Sequence, residues 1–371
     1  MVFSLISLSS LSSFGQLFFQ EKLHALMNTS VIKTTDPTQA AIAGAAIIRA
    51  GGLVAFPTET VYGLGANGLD GQAVDRIFEA KGRPNDNPLI LHVARKEDAL
   101  PLWAAEPPFA RALMDTFWPG PLTLIYHRSA VIPNEVTAGL ETVAVRMPDN
   151  DAARALIAAA GVPIAAPSAN LSGKPSPTTA AHVLQDMDGR IPLILDGGPC
   201  RYGVESTVLS LVGTPTILRP GAVTPEMLAA VIGEVALAPS ILKPLAAGET
   251  AASPGMKYKH YAPNAQVLVV VGKAEAAAAR LSAFYDEFTA QSKRVSIAAT
   301  TESLPFYGDR RTALLGTRKD PLTLCSRLFA LLRELDAASD VILAEGVGAE
   351  GAGLAFMNRL LRSAGFRVEY L

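Results

Sequence analysis

The chain has 371 residues, with 32 Lys and Arg against 34 Asp and Glu, a formal net charge of -2 and 49% hydrophobic residues. That length exceeds what one hydrophobic core usually organises, so two domains are expected; the near-neutral balance excludes a disordered polyelectrolyte and gives no global argument for polyanion binding. Cys200 and Cys325 stand alone, and His24, His92, His127, His182 and His260 show no chelating spacing, which excludes a disulfide framework and a thiolate zinc site and reads as cytoplasmic.

The first stretch, "MVFSLISLSSLSSFGQLFFQEK", lacks the basic segment and small-residue cleavage site of a signal peptide. Its serines and Gly15 interrupt the apolar run that a membrane span needs. Residues 1–29 are expected to be an extension upstream of a better start at Met27, and no membrane association is expected. In "TDPTQAAIAGAAIIRAGG", Asp36 predicts an N-cap, Pro37 the first helical position and Gly51-Gly52 the stop. Short β-like runs come next: "LVAFP", "PLILHV", "TLIY", "VAVRMP", "PIAAP", "PLILD", "STVLSLV" and "TILRP". They are interleaved with helical patterns such as "DGQAVDRIFEAKG" and "TTAAHVLQDMDG", which predicts an α/β domain with a twisted mixed sheet over residues 30–233. Residues 234–264 are rich in Ala, Pro and Gly and read as a linker. Beyond it "AQVLVVVG", "RVSIAAT", "RTALLGT" and "DVILAEGV" alternate with helical segments, which predicts a smaller, doubly wound α/β domain over 265–371. "MNRLLRSA" reads as an ordinary amphipathic helix.

"GLGANG", Gly63 to Gly68, is a literal dinucleotide-binding fingerprint, yet its context is wrong for one. Six residues, Pro57 to Tyr62, separate the strand "LVAF" from Gly63, and the acidic residue about 20 positions on, Asp86, lies in the polar loop "RPNDNP" rather than at a second strand's end. NAD is therefore not expected. The glycines instead predict a ligand-binding loop, with the hydroxyls and carboxylate of "PTET" at the preceding strand exit. "ANLSGKPS" is similarly discarded as a phosphate loop because Ser168 stands where the motif requires glycine, although its serines remain phosphate contacts to consider.

The helix "DGQAVDRIFEAKGRP" stops at Gly82 to Pro84, so Lys81 and Arg83 project at its C-terminal end. His92 sits on an apolar run. Arg146 in "VAVRMP" is expensive to bury unpaired and needs an anion. Ser168, Asn170 and Ser176 offer donors where "PIAAPSANLSGKPSPT" leaves a strand, and "GVESTV" and "ILRPG" add Ser206, Thr207 and Arg219. Cations and hydroxyls at strand–loop junctions, without a nucleophile or metal cluster, suit a phosphorylated ligand; phosphoryl or nucleotidyl transfer needs mainly alignment and charge neutralisation.

In this order, "PTETVYGLG", "KGRPNDNPLILHV", "AVRMP", "PSAN", "ESTV" and "LRPG" resemble the YrdC-type domain of threonylcarbamoyl-AMP synthases, and "SPGMKYKHYAP" with the α/β region C-terminal to it resembles their longer, two-domain members. The resemblance covers residues 30 to 371. It implies a YrdC-like catalytic domain with a Rossmann-like second domain, and the synthesis of L-threonylcarbamoyl-AMP from L-threonine, bicarbonate or CO2, and ATP, with release of pyrophosphate. Mg2+ would come with the ATP phosphates and no structural metal would be present. The product would pass to a tRNA threonylcarbamoyl transferase complex, for modification next to the anticodon, with weak or no direct tRNA binding by this chain. Carried over by motif, Thr60, His92, Arg146 and Ser206 would hold threonine. Lys81, Arg83, Asn87, Ala166, Ser168, Ser176 and Arg219 would face ATP, with Lys81 and Arg83 also neutralising charge in the reaction. Thr142 or Val143 would add a backbone contact, and Tyr261 would come from the linker to cover the nucleotide. The alternative is a YrdC-type RNA-binding module without catalysis; the chain's charge and its lack of interleaved aromatics argue against it. The related carbamoyl-transfer enzyme of hydrogenase maturation needs cysteine-rich zinc modules that two lone cysteines cannot supply.

Overall fold

The structure, a computed structural model, describes residues 28–243 and 261–371. The expected N-terminal extension up to Met27, including His24, and the centre of the expected linker, residues 244–260 with His260, lie outside the described residues.

Eleven strands build the first sheet: β1 (Ser30–Lys33), β2 (Val54–Phe56), β3 (Gly63–Asn67), β4 (Ile90–His92), β5 (Leu122–His127), β6 (Thr142–Arg146), β7 (Ile164–Ala166), β8 (Leu193–Asp196), β9 (Thr207–Ser210), β10 (Thr216–Arg219) and β11 (Ala236–Leu237). Their spatial order is 1-8-2-3-7-4-6-5-9-10-11. Parallel and antiparallel pairings mix: β4 runs parallel to β6 and antiparallel to β7, and β5 runs antiparallel to β6 and parallel to β9. Because β11 pairs with β10, the sheet continues past the boundary expected at Gly233.

The helices begin where the sequence supplies caps. The Asp36 carboxylate accepts the amides of Thr38 and Gln39 ahead of α1 (Pro37–Arg49), and Asp70 accepts those of Gln72 and Ala73 ahead of α2 (Gly71–Lys81). Each such cap contributes about 1 kcal/mol. Helix α2 ends at Gly82, whose φ of 59° is left-handed, as the glycine stop predicts. Helices α3 (Ala110–Phe117), α4 (Asn134–Thr137), α5 (Asp151–Ala160), α6 (Ala180–Met187) and α7 (Pro225–Ile232) complete this part.

"GLGAN" departs from expectation: it is not a loop but β3, a buried strand paired with β2 and β7. None of its glycines has a positive φ. Gly65 is required by contact, since a Cβ there would lie 2.7 Å from Ile164 Cγ2 and 2.8 Å from Phe56 Cε1.

The second sheet is parallel throughout, with β12 (Gln266–Val271), β13 (Val295–Thr300), β14 (Thr312–Gly316), β15 (Val341–Gly346) and β16 (Val368–Tyr370) in the order 14-13-15-12-16. Helices α8 (Ala274–Ala290), α9 (Pro321–Asp336) and α10 (Ala352–Ser363) flank it. The two halves share a core. Val61 and Val204 of the first pack into the apolar cluster formed by Tyr261, Leu324 and Phe329 of the second, and a Cβ on Gly203 would meet the backbone of Ser326 at 2.5 Å. "MNRLLRSA" is accordingly not an ordinary amphipathic helix: every residue of α10 from Gly353 to Ser363 is buried. Its polar side chains turn towards the first half, where Asn358 Nδ2 donates to the Ile241 carbonyl and Arg362 to that of Ser240. Among the described residues, no helix is long and apolar enough to cross a membrane.

Candidate functional site

Between β2 and β3 the chain turns through Pro57 to Tyr62. The Thr58 hydroxyl accepts the amides of Thr60 and Val61 and donates to the Val61 carbonyl at 2.6 Å, the local hydroxyl-to-backbone pattern that threonine favours in turns. Its only proton is thereby committed, so in the 2.8 Å contact between the two hydroxyls Thr60 is the donor. Thr60 Oγ1 then accepts from Arg146 at 2.9 Å.

Parallel pairing of β4 with β6 sets His92 opposite Arg146 at the ends of adjacent strands. Both are buried. Arg146 donates Nε to the Gly120 carbonyl at 3.2 Å, and its remaining nitrogen lies 2.6 Å from Glu59 Oε1. The anion that the sequence demands at Arg146 is therefore supplied by the chain itself, through the acidic residue of "PTET". The contact is close but not aligned as a hydrogen bond, so the guanidinium keeps directional capacity towards the cavity. Burial, and secondarily the Arg146 charge, lower the His92 imidazole to about 3. This histidine is neutral at ordinary pH, and its Nδ1 lacks a partner among the described residues.

A second group forms where β9 meets β10. The Ser206 hydroxyl lies 2.8 Å from that of Thr123, and Arg219 donates to both the carbonyl and the hydroxyl of Ser206 at 3.1 Å. Gly221 permits this approach, since a Cβ there would fall 2.3 Å from the Thr207 nitrogen. Burial lowers the Arg219 guanidinium to about 10, still cationic at neutral pH.

The end of α2 differs from expectation in one respect. Arg83 borders the cavity, with one nitrogen donating to the Asn87 carbonyl at 3.0 Å and its plane over Phe78. Lys81 instead turns inward, is fully buried, and donates to the carbonyls of Ser168 and Asn170. Burial, then the Arg83 charge, hold it well below the ordinary lysine range. In the segment between α2 and β4, Asn87 is buried with both side-chain polar atoms unpartnered among the described residues. The loop after β7 is tied to itself, Ser168 donating to Asn170 Oδ1 at 2.5 Å and Asn170 to the carbonyls of Leu171 and Lys174.

Of the residues singled out from sequence, Thr60, His92, Arg146, Ser206, Arg83, Ala166, Ser168, Asn170, Arg219 and Tyr261 line one cleft. Lys81, Asn87, Thr142 and Ser176 do not line it. Thr142 opens β6 opposite His127, at the far end of the strand from Arg146 and about 13 Å from it along the chain. Ser176 is buried behind the wall, donating to Glu205 Oε1 at 2.5 Å. Lys174 and Glu205 join the lining without having been singled out. Glu205 had a signal, since it immediately precedes Ser206 in "ESTV", just ahead of β9. The cleft joins a fixed guanidinium and neutral imidazole to further arginines and hydroxyls, a set suited to carboxylate and phosphate together. Among the described residues, no group of three or more His, Cys, Asp or Glu is arranged to hold a metal ion.

Comparison with known proteins places the chain in a family. Residues 46–221 match the Sua5/YciO/YrdC family model, described as telomere recombination, and residues 223–365 match the model of the threonylcarbamoyl-AMP synthase C-terminal domain. The threonylcarbamoyl-AMP synthase of Pyrococcus abyssi is 48% identical over 326 residues, covering 87% of this chain and 94% of that protein. The Bacillus subtilis protein of the same name is 47% identical over 343 residues, covering 92% and 96%. A crystal structure of P. abyssi Sua5 complexed with L-threonine superposes with a TM-score of 0.86 at 46% identity, covering 92% of this chain and all of that one.

Proposed function

This chain belongs to the threonylcarbamoyl-AMP synthase family, and on that premise we propose that it is a nucleotidyltransferase. It makes L-threonylcarbamoyl-AMP from L-threonine, bicarbonate or CO2, and ATP, for threonylcarbamoyladenosine modification of tRNA. The observation that carries the reading is the single cleft lined by Thr60, His92, Arg146 and Ser206 together with Arg83, Ser168, Arg219 and Tyr261. Arg146 takes the threonine carboxylate, backed by Glu59, while the neutral His92 and the hydroxyls of Thr60 and Ser206 fix the rest of the amino acid. Arg83, Ser168 and Arg219 face ATP, which enters as its magnesium complex, and Tyr261 covers the nucleotide. Lys81 acts at one remove by holding the carbonyls of Ser168 and Asn170.

In the chemical step a carbamate oxygen of N-carboxy-threonine attacks the α-phosphorus. The bond from that phosphorus to the bridging oxygen breaks, and pyrophosphate leaves with the electron pair. The protein's contribution is alignment and charge neutralisation, so no side chain forms a covalent intermediate. The product passes to the tRNA-modifying machinery in the cytoplasm. Incubation with ATP, L-threonine and bicarbonate, with mass spectrometry of the products, tests this. The expected result is threonylcarbamoyl-AMP with stoichiometric pyrophosphate, dependent on threonine and bicarbonate and much weaker with serine. Salt-dependent tRNA binding without such turnover would overturn it in favour of an RNA-binding module.

A further inference from the structure

The half of the chain carrying the parallel sheet reaches the cleft wall at three points. The Ala262 amide donates to the Gly173 carbonyl at 2.9 Å. Arg333 of α9 donates to the Pro175 carbonyl and to Asp186 Oδ2, both at 2.6 Å, while Asp186 Oδ1 lies 3.2 Å from Lys174. Arg359 of α10 donates Nε to Glu205 Oε2 at 2.8 Å and another nitrogen to the Glu205 carbonyl at 3.2 Å. All three act on the loop 173–176 or on the carboxylate that holds Ser176.

Glu205 is the informative member. It is 7% exposed, lines the cleft, and accepts the Ser176 hydroxyl on one oxygen and Arg359 on the other. Burial alone would raise its carboxyl, but the charges of Arg359 and then Arg219, with the hydrogen bonds from Ser176 and Arg359, hold it below its ordinary value. An anion in the wall of a site for polyphosphate is a liability unless cancelled nearby. Arg219 donates to Ser206, whereas Arg359 is fully buried and directs two nitrogens at Glu205 and a third at Asn358 Oδ1.

We infer that Arg359, from the C-terminal helix α10, is a positioning residue for the nucleotide: it neutralises Glu205 in the cleft wall and, through Glu205, fixes Ser176 and its loop for the phosphates. This rests on the reading of the cleft as an ATP site. It gives α10, which does not line the cleft, a role in binding ATP at one remove from the substrate.

The test compares the parental chain with Arg359→Gln, Arg359→Lys and the double variant Glu205→Gln/Arg359→Gln. The Michaelis constants for ATP and threonine are read from pyrophosphate release, alongside thermal melting. Arg359→Gln leaves a buried carboxylate uncompensated, so the KM for ATP is expected to rise at least about tenfold while that for threonine changes by less than about threefold. The double variant, which removes the stranded charge, is expected to recover most of that loss. Equal shifts in both constants, or a double variant no better than the single, would overturn the inference. Should Arg359→Gln not fold, Arg359→Lys decides: a raised KM for ATP with an unchanged threonine constant supports the role, and parental values for both overturn it. A parental chain without threonine-dependent pyrophosphate release overturns the ATP reading itself and this role with it, a result distinct from the others.

Discussion

At the carboxyl edge of the parallel sheet, Glu345 is fully buried and fully answered. One oxygen accepts the hydroxyls of Thr300 and Ser303 and a nitrogen of Arg318, and the other accepts the Tyr307 hydroxyl. Nearby, burial opposes ionisation of Glu302, but the Thr317 hydroxyl and the amides of Arg318 and Lys319 hold its carboxyl down to about 2. The cleft of the mixed sheet treats its polar groups differently: His92 Nδ1 has no partner among the described residues, and the Arg146–Glu59 contact is oblique. Position alone would favour the parallel sheet, because ligands in doubly wound folds bind beyond the carboxyl ends of the strands. Satisfaction of polar groups points the other way. A closed network has nothing left to offer a ligand, whereas an incompletely answered one is what a binding site looks like before its ligand arrives.

The largest expected effect tests the open side of that comparison. Arg146→Ala removes the cation paired with Glu59 and strands that carboxylate, so kcat/KM for threonine should fall by about 10²–10³-fold, with Arg146→Lys intermediate because it keeps the charge but not the fork. A loss of threefold or less would mean that Arg146 is as structural as Arg318. The closed side is tested by Glu345→Gln. Breaking the pair with Arg318 should cost about 3 kcal/mol in denaturant unfolding and leave the Michaelis constants of the folded protein for ATP and threonine unchanged. A shifted constant would break the distinction between the sheets.

A smaller effect sharpens it by pH. The folded chain keeps His92 neutral down to about 3, whereas an unfolded imidazole takes a proton near 6.5. Between these values the unfolded state binds more protons, so stability falls as the pH drops through the window, by up to about 1.4 kcal/mol per pH unit, and is unaffected by this group above it. His92→Gln should flatten the dependence of unfolding free energy on pH between about 6 and 4 by about 1 kcal/mol per unit. Identical slopes for parental and variant chains would show that the imidazole is not held neutral.

Legibility in the sequence depended on whether a residue's partner was local. Asp36, Asp70 and Gly82 announced α1 and α2 because caps and stops lie within a few positions of the groups they satisfy. The apolar runs marked β2, β4, β6 and β8 for the same reason. β3 was illegible because its glycines answer to Phe56 and Ile164 across the sheet rather than to a turn. α10 misled because Asn358, Arg359 and Arg362 look like a solvated face until the first half of the chain is set against them. At the site, the need of Arg146 for an anion was readable from its apolar strand, but Glu59 as the supplier was not, since 87 positions of chain numbering collapse into one contact only through the β4–β6 pairing and the β2–β3 turn.

Thr142 provides the smallest expected effect and separates likeness of motif from geometry. By resemblance it or Val143 contacts the nucleotide through the backbone, yet it begins β6 beside His127, outside the cleft lining. A backbone contact survives removal of the hydroxyl, and no hydrogen bond of that hydroxyl enters the network around Arg146. Thr142→Ala should therefore change the KM for ATP by less than about twofold, within what a half-buried surface substitution does to its surroundings. A rise of tenfold would mean that the nucleotide reaches along β6 to its start, and that the open cleft extends further than its unanswered polar groups indicate.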